Sequence, residues 1–414
     1  MPANAKYDLI VVGGGSIGQS TAFHAGKRGL KTAIFDQYNF LNDDGASAGW
    51  SRQFRLQYAV QYMAELCIAS QPFWKDLQQY TSAPLIGKDG SLWFGNPEAG
   101  GSREGALKAA EKVMDSLGIP YTTLSKQQIE SQYHFKAIND NYRGFFQAQG
   151  GTIDLKAAQM ALYFGNINFG VDLHPHVKVT GINSRSGGDI TVSTTNGNYT
   201  TAKLAITAGP WVNDLTMFLN CHVPILIWEM STAYFKMTDP KIPYETWFYY
   251  GTNAENDDFY GFPVESMETG PWPHPGYIRV APDFPDRIIN DPSKRSWTPD
   301  PKNIALTEQF VAQHMTGIRP KAEFASTCLA PLAVSTDPNV ELLIDYAPPS
   351  VPNNKQIVVY TAGWAGKFVP ILGDMLCQML TNPNLSAFNY SGYSIPLKNF
   401  AIHWNELPQR RRIR

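Results

Sequence analysis

Tyr7-Asp8-Leu9-Ile10-Val11-Val12-Gly13-Gly14-Gly15-Ser16-Ile17-Gly18 stands close to the start of the chain. An apolar, largely β-branched run leads straight into Gly13-x-Gly15-x-x-Gly18. A helix-compatible segment follows, Gln19 to Arg28, and then a second strand-like run, Lys31 to Phe35, that ends at Asp36. This order of strand, glycine turn, helix, strand and acid is that of a dinucleotide-binding unit. Gly13 permits the tight turn, and Gly15 lets backbone amides approach a pyrophosphate, which the positive end of the helix favours. Gly18 allows close helix–strand packing. Asp36 lies 18 residues beyond Gly18, where an acid accepts ribose hydroxyls. A bare glycine triplet is often only a turn; the flanking strands, helix and acid give this one its meaning.

With 414 residues the chain is too long for one simple core, and two domains are expected. An apolar content of 43%, a charged content of 17% and a net charge of -2 describe a soluble globular protein with no electrostatic pull toward nucleic acid. The run Arg410-Arg411-Arg412 reads as a solvated tail. The four cysteines, Cys67, Cys221, Cys328 and Cys377, are far apart. Their spacing indicates neither a zinc site nor a disulfide framework, so no metal is expected. No apolar run reaches the length of a membrane span. The N-terminal residues do not form a signal peptide, so the cytoplasm is expected and three Asn-x-Ser/Thr matches are read as chance.

Beyond Asp36 a polar loop runs from Gln37 to Ser51. Arg52 and Arg55 follow, and a helix there would set both on one face. Met63 to Leu77 suggests a helix interrupted near Pro72. Gly90 to Gly95 reads as a strand, Glu104 to Leu117 as a helix closed by Gly118, Ser125-x-x-Gln128 as a capping box, and Gly144 to Phe146 as a short strand. Asp154 to Phe164 reads as a helix. Strands follow at Val177–Ile182, Ile190–Thr194 and Leu204–Thr207, with a hairpin at Asn196-Gly197. Ala208-Gly209-Pro210 leads into a helix from Trp211 to Leu219. The region from Cys221 to Phe324 is rich in strands, proline and aromatics, including Trp247, Phe248, Phe259, Tyr260, Phe262 and Trp272. These aromatics fit either an aromatic-lined pocket or an ordinary core. Pro285 to Lys302 reads as a surface excursion. Leu342–Asp345 and Ile357–Tyr360 return to buried-strand character before a second glycine-rich turn, Ala362-Gly363-Trp364-Ala365-Gly366-Lys367.

At this point the chain resembles the flavin-dependent amine oxidases typified by monomeric sarcosine oxidase, a group that includes N-methyltryptophan, pipecolate and piperideine-carboxylate oxidases. The resemblance rests on Gly13, Gly15 and Gly18 with Asp36, and on Gly45-Ala46-Ser47-Ala48-Gly49-Trp50-Ser51-Arg52-Gln53-Phe54-Arg55. It continues through Asn196 to Tyr199 with the strand into Ala208-Gly209-Pro210-Trp211, Phe259 to Pro263, Cys328, and Ala362 to Lys367, in collinear order. It implies an α/β (α+β) fold in which a Rossmann-like FAD-binding domain carries a second, mixed-sheet substrate domain. The expected FAD-binding segments are 1–83, 148–220 and 325–390; 84–147 and 221–324 form the second domain, and 391–414 a C-terminal tail.

The resemblance also implies FAD, attached through a thioether from Cys328 to the 8α-methyl of the flavin. Without it, a lone cysteine reads as a small buried hydrophobe. The residues it implies for the cofactor are Gly13, Gly15, Ser16, Ile17, Gly18, Asp36, Ser51, Arg52, Val177, Ala208, Gly209, Cys328, Gly363, Gly366 and Lys367. Those implied for catalysis are Arg52 near the flavin ring, Arg55 and Lys367 on the substrate carboxylate, Tyr260 in the pocket and Arg279 over the flavin. A guanidinium pairs bidentately with a carboxylate and fixes its orientation. The turn before Lys367 is a few residues shorter than the family's. Arg279 stands where the family has a lysine that helps reduce oxygen, Asp283 falls where histidine is common, and Ala48 replaces another histidine.

The implied reaction is oxidation of a carboxylated amine to an imine, with O2 reduced to H2O2, by a monomeric enzyme that binds neither nucleic acid nor membrane. Two alternatives stay open: a dehydrogenase or tailoring enzyme with weak oxygen reactivity, and a non-catalytic flavoprotein subunit.

Overall fold

The computed structural model describes residues 5–100, 105–239, 241–252, 257–264, 275–335, 337 and 339–405. Trp272 and the Arg410 to Arg412 run lie outside them.

The strand Lys6–Val12 is buried on both faces from Leu9 to Val12, as an interior parallel strand must be. It pairs in parallel with Thr32–Phe35 on one side and Gly197–Ile206 on the other. Asp172–His174 extends the sheet beyond Thr32–Phe35. Ile357–Thr361 extends it beyond Gly197–Ile206, also in parallel, and Leu343–Tyr346 closes that edge antiparallel. Val179–Asn183 and Ile190–Thr194 join as an antiparallel meander, completing eight strands. Asn196-Gly197 makes the expected hairpin, with Thr194 opposite Gly197.

Register decides where a ligand can sit. Val12 lies opposite both Phe35 and Ile206, and Ile206 lies opposite Val359. The parallel strands therefore end along one edge. Gly13, Asp36, Thr207 to Gly209 and the Ala362–Lys367 turn all leave from that edge, which is the ligand side of an open α/β sheet. The helices Ser16–Lys27, Leu155–Asn168 and Val369–Thr381 pack together beside it.

A second sheet has nine strands. Its order is Arg287–Ile289, Ile225–Met237, Tyr277–Pro282, Phe259–Val264, Thr246–Tyr250, Ser91–Gly95, Arg143–Gln147 and Thr122–Ser125; Ile318–Ala333 also pairs along Ile225–Met237. It is mixed, since Thr246–Tyr250 and Ser91–Gly95 run in parallel. Strand alternation sorts its aromatics. Trp247, Tyr249 and Phe259 pack into a core with Phe310 of the helix Pro301–His314, while Phe248 and Tyr260 face the other way. Among the described residues no helix is long and apolar enough to cross a membrane.

Several local expectations need correction. Arg52 does not open a helix: Ser51–Phe54 is a strand, antiparallel to Gly151–Asp154. Pairing with a segment about a hundred residues away outweighs local helical preference. The helix Gln61–Leu77 runs through Pro72 without a break. Its face of Met63, Leu66, Cys67, Trp74 and Leu77 is buried, and that burial exceeds the roughly 3 kcal/mol cost of an interior proline. The expected helix from Trp211 to Leu219 is a single α-turn, Val212–Thr216, between two 3₁₀ segments. Pro285 to Lys302 is no mere excursion, because it adds the edge strand Arg287–Ile289 and buries Arg295. A boundary at 324/325 falls inside the sixteen-residue strand Ile318–Ala333. Of the expected C-terminal tail 391–414, the described residues 391–405 pack on the rest of the chain: Tyr393–Pro396 pairs with Ala387–Tyr390, and Ile395 and Phe400 are fully buried. The capping box at Ser125 and Gln128 forms as read.

Candidate active site

One cavity of about 600 Å3 runs from the glycine turn to Cys328. At its first end Gly13, Gly15, Ser16 and Ile17 line it at the N-terminus of the helix Ser16–Lys27. Gly13 sits at φ 104°, open to glycine and strained for other residues. A Cβ on Gly18 would stand 1.8 Å from the Gly13 carbonyl oxygen, so Gly18 is off the lining and serves packing. Gly15, the N-cap of the helix, makes no side-chain cap hydrogen bond, and the positive end of the helix favours an anion at this end of the cavity. Asp36 accepts hydrogen bonds from the Gly14 amide at 2.6 Å and the Tyr38 amide at 2.7 Å. Burial pushes its carboxyl above the ordinary value, against those two amides. Val177, Ala208 and Gly209 complete this end. These features fit the pyrophosphate and ribose of a dinucleotide.

Sequence reasoning missed two residues here. The Ser16 amide donates to Ser47 Oγ at 3.1 Å, and Gln159 Nε2 donates to Ser16 Oγ at 3.1 Å. Ser47 carried a weak signal as part of a Gly/Ser-rich loop. Gln159 carried none, because only the packing of two helices brings it to the turn.

At the other end the lining comprises Arg52, Phe248, Tyr260, Phe262, Arg279, Asp283, Cys328, Gly363, Trp364, Gly366 and Lys367. Arg52 donates to the carbonyls of Ser51, Ala46 and Ala48 at 2.8, 3.0 and 2.6 Å. Burial, and then the neighbouring Arg279 charge, hold its guanidinium below the ordinary value. Ser51 lies behind the lining and receives Arg279 Nη1 on its carbonyl at 2.8 Å and its hydroxyl at 3.0 Å. Arg279 Nε donates to Thr232 Oγ1 at 2.8 Å, and its guanidinium lies 4.8 Å from the Phe262 ring centre. Tyr260 stacks on Phe248 at 6.4 Å, and burial pushes its phenol up to about 12 despite Arg279 beside it.

Arg55 is not on the lining. On an extended chain, positions 52 and 55 point to opposite sides. The Arg55 guanidinium sits 1% exposed, 4.7 Å from the Tyr58 ring centre and 4.8 Å from that of Trp93. Lys367 Nζ lies 5.3 Å from the same Tyr58 ring. Two cations thus lie against one tyrosine ring, and of the two Lys367 is on the cavity lining. The Trp74 indole fixes the Lys367 turn by donating to its carbonyl at 2.8 Å. The turn begins with Ala362 at φ 72° and Gly363 at φ 82°, and the Gly363 amide donates to Pro331 of the Cys328 strand at 3.0 Å. A left-handed alanine beside a site is local strain held by its surroundings.

Cys328 sits on Ile318–Ala333 opposite Met230 and is half-buried on the cavity wall. Cys67, Cys221 and Cys377 are buried off the lining, where burial pushes their thiols up to about 12, 11 and 12. Cys328 is the one cysteine of the four on the cavity wall. The cavity joins an anion-binding turn, a hydroxyl-accepting acid, an aromatic wall and several cations. Such a site can hold a dinucleotide along its length and an anionic ligand against its far end.

Known proteins resemble this chain over most of its length. Residues 8–379 match the family described as FAD dependent oxidoreductase. A Dictyostelium discoideum protein carrying the provisional name bifunctional amine oxidase is 28% identical over 395 residues, or 90% of this chain, which spans only 36% of that protein. Monomeric sarcosine oxidase of Bacillus sp. (strain NS-129) is 22% identical over 380 residues, covering 91% of this chain and 94% of that enzyme. The solved structure of NikD, described as an unusual amino acid oxidase essential for nikkomycin biosynthesis, superposes with a TM-score of 0.87 at 28% identity, covering 99% and 100% of the two chains. With its glycine turn, its two sheets and nearly its whole length accounted for, the chain belongs to the family of FAD-dependent oxidoreductases.

Proposed function

We propose that this enzyme oxidises the C–N bond of an amino acid or related carboxylated amine, secondary or cyclic, to an imine. The observation that carries the proposal is that Lys367 and Arg55 both lie against the Tyr58 ring, with Lys367 on the lining of a cavity that Phe248, Tyr260 and Phe262 also line. FAD, when bound, supplies the two-electron acceptor. Gly13, Gly15, Ser16, Ile17 and Asp36 would hold its adenosine pyrophosphate, with Val177, Ala208 and Gly209 alongside. Arg52, Gly363 and Gly366 would border the ring, and Cys328 would tether it by a thioether. The substrate carboxylate pairs with Lys367, and Arg55, buried off the lining, adds positive charge from a distance rather than gripping it directly. Fixing the carboxylate at one end sets the reacting carbon at a defined distance, the proximity effect on which such oxidations depend. The eight-stranded sheet and its helices form the cofactor half, and the nine-stranded sheet supplies the substrate wall. Four cysteines without a disulfide suit a reducing compartment, and we place the enzyme in the cytoplasm as a monomer, with O2 as acceptor.

One observation favours a second reading, a dehydrogenase or tailoring enzyme. Arg279 is pinned by Ser51 and Thr232 and covered by Phe262, so its charge cannot follow a reacting oxygen as a flexible lysine can.

Paired substrates test the proposal. Flavin reduction by a cyclic or N-methylated amino acid is compared with reduction by the same amine lacking its carboxylate. Lys367→Met should weaken the first by roughly ten- to a hundredfold, the value of one charge-assisted hydrogen bond, and leave the second unchanged. Equal effects on both would remove Lys367 from carboxylate binding.

A further inference from the structure

The stretch Pro285 to Lys302 puts one side chain far inside the molecule. Arg295 is 8% exposed and lies off the cavity lining. Its Nη1 donates to the carbonyls of Asp43 and Asp44, both at 2.8 Å. Its Nε donates to Thr327 Oγ1 at 3.2 Å, and its Nη2 donates to the Thr327 carbonyl. Trp297 covers the guanidinium with its ring centre 3.7 Å away. One planar fork thus joins the loop after Asp36 to the residue immediately before Cys328.

That loop is a wall of the cavity, through Leu41, Asn42, Gly45, Ala46 and Ser47. It has little secondary structure of its own, so its carbonyls need outside donors. Three cations supply them. Lys156 donates to the Leu41 carbonyl at 3.0 Å, Arg295 serves Asp43 and Asp44, and Arg52 serves Ala46 and Ala48. Lys156 and Arg52 come from the side of the cofactor half. Arg295 alone of the three approaches from the second sheet.

Its approach is rigid. Glu229, fully buried, accepts from the Ser296 amide at 2.9 Å, the Ser296 hydroxyl at 2.7 Å and Arg287 Nη2 at 2.5 Å. Asp286 accepts from Ser231 Oγ at 2.5 Å, the Asp300 amide at 2.8 Å and Asn303 Nδ2 at 2.8 Å. Carboxylates met by several donors each, Glu229 fully buried and Asp286 partly so, hold the segment in one geometry, and the segment presents Arg295.

We propose that Arg295 is a positioning residue for the cofactor: it latches the 41–48 loop to the strand carrying Cys328 and so sets how fast FAD enters and leaves the cavity. The loop must part from that strand for a dinucleotide to be loaded, and the latch is the contact that has to break. This rests on the FAD reading of the same cavity.

The test uses the full chain with Cys328→Ser, which removes any covalent tether, and follows FAD release as the rise in free flavin fluorescence after dilution. Adding Arg295→Gln should speed release at least roughly tenfold, the effect of losing one charge-assisted hydrogen bond. Adding Arg295→Lys, which keeps the charge but not the fork, should fall between the two. Melting of the flavin-free proteins is measured alongside. Release unchanged by Arg295→Gln would overturn the proposal, as would a change matched by lower melting that Arg295→Lys fully restores, since charge alone would then suffice. If the Cys328→Ser protein carries no flavin and takes up none, the FAD reading fails first and the latch falls with it.

Discussion

Replacing Arg279 by lysine introduces the residue that the resemblance implies at this position and tests what arginine does in its place. The side chain is 4% exposed, and its hydrogen bonds include those to Thr232 Oγ1 at 2.8 Å and to the Ser51 carbonyl and hydroxyl at 2.8 and 3.0 Å. A lysine ammonium reaches either Ser51 or Thr232, and it loses the flat face that Phe262 covers at 4.8 Å. With charge-assisted bonds worth about 1.5–3 kcal/mol each and at least one lost, Arg279→Lys should cost about 1.5–3 kcal/mol of stability or more. Arg279→Met removes the charge and should cost more. Urea unfolding followed by tryptophan fluorescence measures both. The second assay is reoxidation of the reduced protein by oxygen in a stopped-flow mixer. If the positive charge stabilises developing negative charge there, Arg279→Met should slow reoxidation about ten- to a hundredfold and Arg279→Lys should not. Equal stability of Arg279→Lys and the parent would refute the clamp. Unchanged reoxidation in Arg279→Met would refute the electrostatic role.

Three further outcomes are expected. Gly18→Ala places a methyl 1.8 Å from the Gly13 carbonyl oxygen, so the turn must move; overpacking of this kind costs about 1–3 kcal/mol, and in a Cys328→Ser background, where no thioether holds the cofactor, FAD retention after gel filtration should fall, whereas retention equal to that of Cys328→Ser alone would contradict the cradle. Glu245 sits beside Asp89, and burial raises its carboxyl to about 7 from 4.5. The folded protein therefore keeps this proton longer than the unfolded chain, and stability falls as pH rises from the ordinary carboxyl range through about 7, then stays level. Because the group is partly exposed, the loss is about 1–2 kcal/mol. Glu245→Gln should melt with the parent near pH ~4 and above it near pH ~8, and identical melting at both would refute the assignment. Finally, acid precipitation should leave flavin in the pellet of the parent and release it from Cys328→Ser; release from both would rule out the thioether.

What was legible in the sequence is what local backbone chemistry demands. Gly13 and Gly18 are required by a positive φ and by a contact no side chain permits, and both can be read from spacing alone. The same holds for the Asn196-Gly197 hairpin and the Ser125–Gln128 box, whose partners lie within a few residues. The strand Ser51–Phe54 was hidden because its partner, Gly151–Asp154, is remote. Its alternation then separated Arg52 from Arg55, which a helix would have joined. Arg295 was hidden inside a polar stretch that resembles solvent-exposed loop until Glu229 and Asp286 fold against it. The aromatic-rich region supports both open readings at once: Phe248, Tyr260 and Phe262 line the cavity, while Trp247, Tyr249 and Phe259 are core. Period-two alternation explains the division, but choosing which face meets the ligand required the sheet's neighbours.

The most direct measurement mixes the purified flavoprotein, without oxygen, with N-methylated, cyclic and aromatic amino acids and follows the visible flavin band. A carboxylated amine should bleach the band, and readmitted air should restore it with one H2O2 formed per flavin. If no such amine bleaches a flavin that dithionite reduces readily, the proposed oxidation of a carboxylated amine is contradicted.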